Sequence, residues 1–154
     1  MPRMTYIDNL EEWSRSFHFS HDVSIRFSET DMFGHLNNTV PFTYFEEARI
    51  EYLKAAGFMD KWLDPEFGLI PVVADLQCDF LTQAYFGEKL SIQVKAHSVG
   101  NASVDIHYRG AREDGTTVFT GRGAVVQVSR QTGKPFPWTE EDRQKLREEV
   151  FSLK

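Results

Sequence analysis

The sequence predicts an α+β domain in which one antiparallel sheet packs on a single long helix. Three observations carry this expectation. Residues 39–56 set Phe42, Phe45, Ala48, Arg49, Tyr52 and Ala56 near three-to-four spacing, the period of a helix with one apolar face. Residues 70–129 alternate between apolar and polar side chains in runs separated by turn formers, the pattern of strands buried on one side. One further alternating run, 22–29, precedes the helix. A helix and a sheet, each with one apolar face, can bury those faces against each other.

The elements follow in order. Residues 1–21 form an N-terminal extension, with a short helix expected at "DNLEEW" and with Trp13, Phe17 and Phe19 to hold it down. In 22–29, Val23, Ile25 and Phe27 alternate with Ser24, Arg26 and Ser28, which makes a half-buried strand. The helix over 39–56 spans about 27 Å. Its N-cap falls at Asn38 or Thr39, Pro41 suits its first turn, and Gly57 suits its end. Ile70, Val72, Ala74, Leu76, Cys78 and Phe80 form one face of a long strand. Leu90, Ile92, Val94 and Ala96 form the next, and Val104, Ile106 and Tyr108 a third. "SVGNAS" and "REDGT" are turns, the second carrying the Asp-Gly hairpin signal. Residues 116–129 make the last strand, where Gly121 and Gly123 mark a bulge or a close approach. Thr139 caps a short helix that starts with acids. The domain is expected to cover 22–137, with 138–154 as the C-terminal helix.

Composition narrows the function. The chain has 154 residues, 41% hydrophobic and 26% charged, which suits one globular domain. No apolar run is long enough to span a bilayer, and the first residues carry acids where a signal peptide needs an apolar stretch, so a cytoplasmic protein without membrane partners is expected. A net charge of −6 argues against nucleic acid as a partner. The single cysteine, Cys78, allows no internal disulfide and no multi-cysteine zinc site, and it reads as core. From Arg109 to Lys134, five basic residues (Arg109, Arg112, Arg122, Arg130, Lys134) stand against Glu113 and Asp114, a local net of +3 that offers an anionic ligand a place.

The chemistry concentrates in "ETDMFGHLNNTVPFTYFEEAR", residues 29–49, at the strand-to-helix corner. A helix start presents unpaired N–H groups and partial positive charge, which suits a developing oxyanion. Asp31 supplies a carboxylate and His35 an imidazole beside it. A base or nucleophile next to an oxyanion donor is the minimum for acyl transfer. The same residues also have a bland reading. Asp31, Asn37 and Asn38 are turn and cap formers, and Gly34 suits a positive-φ turn. No third metal ligand stands near Asp31 and His35 at a telling spacing.

The run from Phe27 through Asp31, Gly34, His35, Asn37 and Asn38 to "YFEEAR", with "LQCDFLTQAYFGEKLSIQVKAHSVGNASVDIHY" and "TGRGAVVQVSRQTGKPFP" downstream, resembles the hotdog-fold acyl-CoA thioesterases of the 4-hydroxybenzoyl-CoA thioesterase-like family. The likeness covers about residues 22–137. It implies a hotdog fold, a five-stranded antiparallel sheet wrapped around the central helix. It also implies hydrolysis of acyl thioesters, with coenzyme A as part of substrate and product and no metal or tightly bound cofactor. Asp31 would be nucleophile or general base, and the Asn38 N–H would polarise the carbonyl. "GHLNN" also resembles the plant acyl-ACP thioesterases, which raises His35 as a base or orienting group and Asp79 as an acid from the following strand. Gly34, Asn37 and Glu46 are further binding or orienting candidates, whereas Glu47 is expected to pair with Arg49 or a basic strand residue. Many relatives carry Tyr where this chain has Pro41. The family implies a homodimer or a tetramer, with acyl-CoA or an acyl-carrier thioester as substrate. Two alternatives stay open: a hotdog hydratase or dehydratase acting on acyl thioesters, and a non-catalytic acyl-CoA-binding protein.

Overall fold

A computed structural model describes residues 4–149. The elements run α1 (Leu10–Arg15), β1 (Phe19–Ser24), α2 (Val40–Ala55), α3 (Met59–Leu63), β2 (Leu69–Val73), β3 (Gln77–Phe80), β4 (Lys89–Val99), β5 (Ser103–Ala111), β6 (Thr117–Ser129) and α4 (Glu140–Glu148). The sheet is antiparallel and ordered β1-β4-β5-β6-β2, with β3 also paired to β6. β1 therefore crosses α2 and two later strands in sequence before it finds β4. The curled sheet and the long helix make the hotdog arrangement.

α2 forms because its apolar residues fall on one side. Tyr44, Phe45, Ala48, Tyr52 and Leu53 are buried, while Thr43, Glu46, Glu47, Ile50 and Lys54 stay exposed. Ala56 caps it and Gly57, at φ +88°, turns the chain away. The buried face meets Ile92 and Val94 of β4, Ile106 and Tyr108 of β5, and Phe119 of β6. Phe45 stacks on Tyr108 with ring centres 4.4 Å apart. Burying a side chain such as Phe45 contributes on the order of 2–3 kcal/mol. The approach is close because β6 presents no side chain there. A Cβ on Gly121 would lie 2.4 Å from the Phe45 ring, and one on Gly123 would lie 2.5 Å from the Asp75 carbonyl oxygen. Close approach explains both glycines, and at Gly123 the approaching backbone is the bulged segment around Asp75 on the neighbouring strands.

Three details depart from the sequence reading. The pre-helix strand occupies 19–24, not 22–29, because 27–29 wind into a 3₁₀ turn that starts the corner. The strand expected over 70–81 is two strands, which raises the sheet from five strands to six. Between Val73↔Val125 and Gln77↔Arg122, four steps on one strand oppose three on the other. The extra residue is absorbed where the Asp75 carboxylate accepts the Ala124 N–H at 2.8 Å. α3, which was not expected, buries Trp62 against Phe58 and Trp138. Residues 1–3 and 150–154 of the expected terminal segments lie outside the described residues.

The extension lies on the sheet face opposite α2. Trp13 and Phe17 are buried there, and the Trp13 indole N–H donates to His107 Nδ1 at 2.9 Å. The Tyr6 hydroxyl donates to Asp79 Oδ2 at 2.9 Å and lies 2.7 Å from Thr120 Oγ1. Cys78 faces the core as expected, and burial pushes its thiol up to about 12, so it stays protonated and inert at neutral pH. Among the described residues, no helix is long and apolar enough to cross a membrane.

Candidate active site

The corner is a tight turn built on Asp31. Its N–H donates to the His35 carbonyl (2.8 Å), and its own carbonyl accepts the Gly34 N–H (3.1 Å). Gly34 sits at φ +79°, which explains a glycine at that point. The side chain joins in, with Asp31 Oδ1 accepting the N–H groups of Phe33 (2.9 Å) and His35 (3.1 Å). The turn reading of Asp31 is therefore correct, but it accounts for one carboxylate oxygen only. Oδ2 receives no hydrogen bond from the described residues.

The chain then threads between two neighbours. The Leu36 N–H donates to the Ala84 carbonyl (2.7 Å) and the Asn37 N–H to the Glu29 carbonyl (2.9 Å). Asn37 Oδ1 accepts both the N–H (3.1 Å) and the hydroxyl (3.0 Å) of Thr39, and the Asn37 carbonyl accepts the Val40 N–H (3.0 Å). Thr39 is the N-cap by position, yet the capping oxygen belongs to Asn37. This arrangement leaves the Asn38 N–H as the one amide from Leu36 to Val40 with no acceptor among the described residues. No acid occupies the first turn of α2, so nothing there offsets the partial positive charge of the helix start.

Asp31, His35, Leu36 and Asn38 form one side of a cleft of about 450 Å³. The other side is Phe80–Ala84 together with Val118 and Phe119. Asp31 and Asn38, which carry a carboxylate oxygen and an amide N–H without a partner among the described residues, thus line one cleft. The His35 ring stands edge-on to Tyr85, with centres 5.3 Å apart, and makes no hydrogen bond to the Asp31 carboxylate.

The remaining candidates lie elsewhere. Glu46 is on the exposed face of α2 and is not part of the cleft wall. Asp79 points to the sheet face that carries the extension, where it accepts Tyr6 and Gln77. Glu47 pairs with His21 of β1 at 2.7 Å, whereas Arg49 donates to the Tyr108 hydroxyl. Among the large aromatics, Phe80 and Phe119 line the cleft, whereas Phe33, Phe42, Phe58, Trp62 and Phe67 do not. Three of the five basic residues are engaged internally: Arg109 with Gln93 and Thr117, Arg112 with Glu88, and Arg122 with Asp75 and Asp105. Arg130 and Lys134 have no side-chain partner among the described residues. Among the described residues, no group of three or more His, Cys, Asp or Glu is placed to hold a metal ion.

Sequence reasoning missed the 82–84 segment and β6 as cleft walls, because long-range pairing brings them there. It also missed Glu29. This carboxylate is 8% exposed and accepts the Arg26 N–H (2.9 Å), the Tyr44 hydroxyl (2.9 Å) and the Arg26 guanidinium (3.3 Å). Burial alone would raise its pKa, but these donors outweigh burial and hold it below the usual carboxylate range. Burial and the Glu29 charge together push the Tyr44 hydroxyl far above its ordinary value, so it remains a donor.

Comparison with known proteins adds a family. A model of the thioesterase-like superfamily matches residues 25–146. The uncharacterized protein YsmA of Bacillus subtilis is 46% identical over 142 residues, 92% of this chain and 94% of its own. The acyl-CoA thioesterase YbgC of Haemophilus influenzae is 27% identical over 119 residues, 77% of this chain and 85% of its own. A thioesterase from Thermus thermophilus, solved with coenzyme A and Zn, superposes with a TM-score of 0.71 at 27% identity, covering 86% of this chain and 94% of that one.

Proposed function

The chain belongs to the thioesterase-like superfamily, and from that membership we propose that it is an acyl-CoA thioesterase. The observation that carries the proposal is that Asp31 and Asn38, whose Oδ2 and N–H have no partner among the described residues, line the same cleft. A thioester carbonyl seated with its oxygen on the Asn38 N–H exposes its carbon to Asp31. The carboxylate either attacks that carbon itself or takes a proton from a water that does. In each case the oxyanion is held by an N–H already oriented by the Asn37–Thr39 cap, so little reorganisation is needed. Where water attacks, collapse expels the thiolate and gives the free acid at once; where Asp31 attacks, collapse expels the thiolate and leaves an acyl-Asp31 anhydride, which a water then hydrolyses to the free acid and the restored carboxylate. On both routes the proton lost by that water goes to sulfur, and the products are a free acid and coenzyme A. His35 and the Phe80 and Phe119 rings line the recess and bound the acyl group. Asn37 orients the donor. The reaction draws on no metal or other cofactor.

The proposal includes a homo-oligomer. Arg130 follows β6 at the end opposite Val118, about 40 Å along the strand. Phosphates of a ligand in this cleft would meet Arg130 or Lys134 only on a second copy. The free β2–β3 edge, with Val72, Val73 and Leu76 exposed, suits a two-fold pairing that reverses one β6 against the other. The cytosolic location expected from the sequence is kept.

The test is thiol release from short, long and aromatic acyl-CoA thioesters by the wild type, Asp31→Asn and Asn38→Ala. Loss of the base or nucleophile should lower kcat at least about 10²-fold. Asn38→Ala keeps the N–H and should stay within about threefold of wild type. Wild-type binding of acyl-CoA without thiol release would defeat the proposal, and so would an Asp31→Asn variant with full turnover.

A further inference from the structure

Glu29 is a buried carboxylate with no part in the reaction just described, and it does not line the cleft. It nevertheless makes two separate tethers. Its side chain accepts the hydroxyl of Tyr44, which is 4% exposed on α2, six residues beyond Asn38. Its backbone carbonyl accepts the N–H of Asn37, the residue just before the proposed oxyanion donor. Asp31 stands two residues further along, just past the 3₁₀ turn that ends at Glu29, where Thr30 bridges Leu36. One residue therefore fixes the loop that carries the carboxylate to the helix start that carries the amide.

We propose that Glu29 and Tyr44 form a clasp that sets the position of the Asp31 carboxylate relative to the Asn38 N–H. The inference rests on the thioesterase reading and names positioning residues for that same site. The choice of residue type supports it. Hydrogen bonds to a carboxylate are roughly twice as strong as neutral ones, so the helix and the loop are held by a stiff joint. The donors come from both sides of the joint, the Arg26 N–H from the 3₁₀ turn and the Tyr44 hydroxyl from the helix. Without the clasp, Leu36–Ala84 and Asn37–Glu29 would still pair through the backbone, so the fold persists. What is lost is the axial registry of α2 against the loop. A displacement of about 1 Å at reacting groups can cost on the order of 10²-fold in rate.

The experiment compares kcat and KM for the wild type, Asp31→Asn, Glu29→Ala, Glu29→Gln, Tyr44→Phe and the Glu29→Ala/Tyr44→Phe pair, each below its melting temperature. Tyr44→Phe removes a single oxygen and keeps the core packing, so it reports even if Glu29→Ala folds poorly. Both single variants are expected to lower kcat, Tyr44→Phe about 3- to 10-fold and Glu29→Ala about 10- to 100-fold, with KM within about twofold. The pair should be no slower than Glu29→Ala, because both break one joint. Glu29→Gln keeps an oxygen that accepts Tyr44 and the Arg26 N–H, and it should stay within about threefold of wild type. A Gln variant as slow as Ala, unchanged kcat in Tyr44→Phe and Glu29→Ala, or losses that multiply in the pair would each overturn the clasp. If Asp31→Asn is inactive while the clasp variants keep kcat, the clasp alone is wrong. If the wild type releases no thiol, or Asp31→Asn keeps full turnover, the thioesterase reading fails and the clasp falls with it.

Discussion

Acid should loosen this protein through one side chain, His107. The ring is fully buried under the N-terminal segment. Its Nδ1 accepts the Trp13 indole N–H at 2.9 Å, and its Nε2 donates to Asp105 at 3.1 Å. It stacks at 4.0 Å on His97 and feels the Lys95 charge from the same face. A proton added at Nδ1 would confront the Trp13 N–H with a second donor. Burial first, and His97 next, push the pKa from 6.5 down to about 4, with Asp105 pulling the other way. The unfolded chain therefore takes up this proton near pH 6.5, whereas the folded chain resists until about pH 4. The neutral ring's contribution is complete above about 6.5 and is lost as the pH falls through that window. A gap of about 2.5 pH units corresponds to about 3 kcal/mol, a large share of the stability of a domain this size. Urea unfolding of the wild type and His107→Gln at pH 7.0, 5.5 and 4.5 measures it. The variant should be less stable at pH 7.0, and the difference should shrink by about 2–3 kcal/mol by pH 4.5. Parallel stability curves across that range would refute the reasoning.

Two further outcomes follow from packing. Gly121→Ala would drive a methyl into the Phe45 ring and within 2.8 Å of the Gln77 carbonyl, so α2 or β3 must shift. Overpacking of this kind costs about 1–3 kcal/mol, which a denaturant midpoint would register. Because Phe80 of β3 also walls the cleft, KM for long acyl chains should rise in the same variant. Arg122→Ala leaves Asp105 and Asp75 without their guanidinium partner and should cost about 1–3 kcal/mol by the same assay.

The helix, the four long strand runs and the corner were legible in the sequence because each is a local pattern. Phe42 to Ala56 follow one period, Leu90 to Ala96 another, and Gly34, Asn37 and Pro41 are turn and cap chemistry. The role of Asp31 Oδ1 in the turn was equally readable. The break at Asp75 was not, because alternation continues through a one-residue bulge whose cause is a carboxylate bonded across the sheet. Glu29 was hidden for a similar reason. An acid beside Thr30 and Asp31 looks like part of a polar loop, and only the pairing with Tyr44 shows that it is buried. Asp79 looked like an active-site acid, but strand alternation turns it toward Tyr6 on the opposite face. Three of the five basic residues from Arg109 to Lys134, Arg109, Arg112 and Arg122, are engaged internally for a comparable reason, as cross-strand neighbours are not neighbours in sequence.

The N-terminal segment that covers the sheet has a consequence in time. Trp13 is 94 residues ahead of His107, and Tyr6 is 114 residues ahead of Thr120. At ribosomal speeds, these aromatic rings wait roughly 5–20 s for the surface that buries them. β1 waits as well, since its partner β4 lies beyond α2 and two more strands. A segment made before its partners is thus among the last to dock. During synthesis the nascent chain carries Trp13 and Phe17 uncovered, next to a strand with an open edge, and folding is completed by closing the longest loops in the molecule.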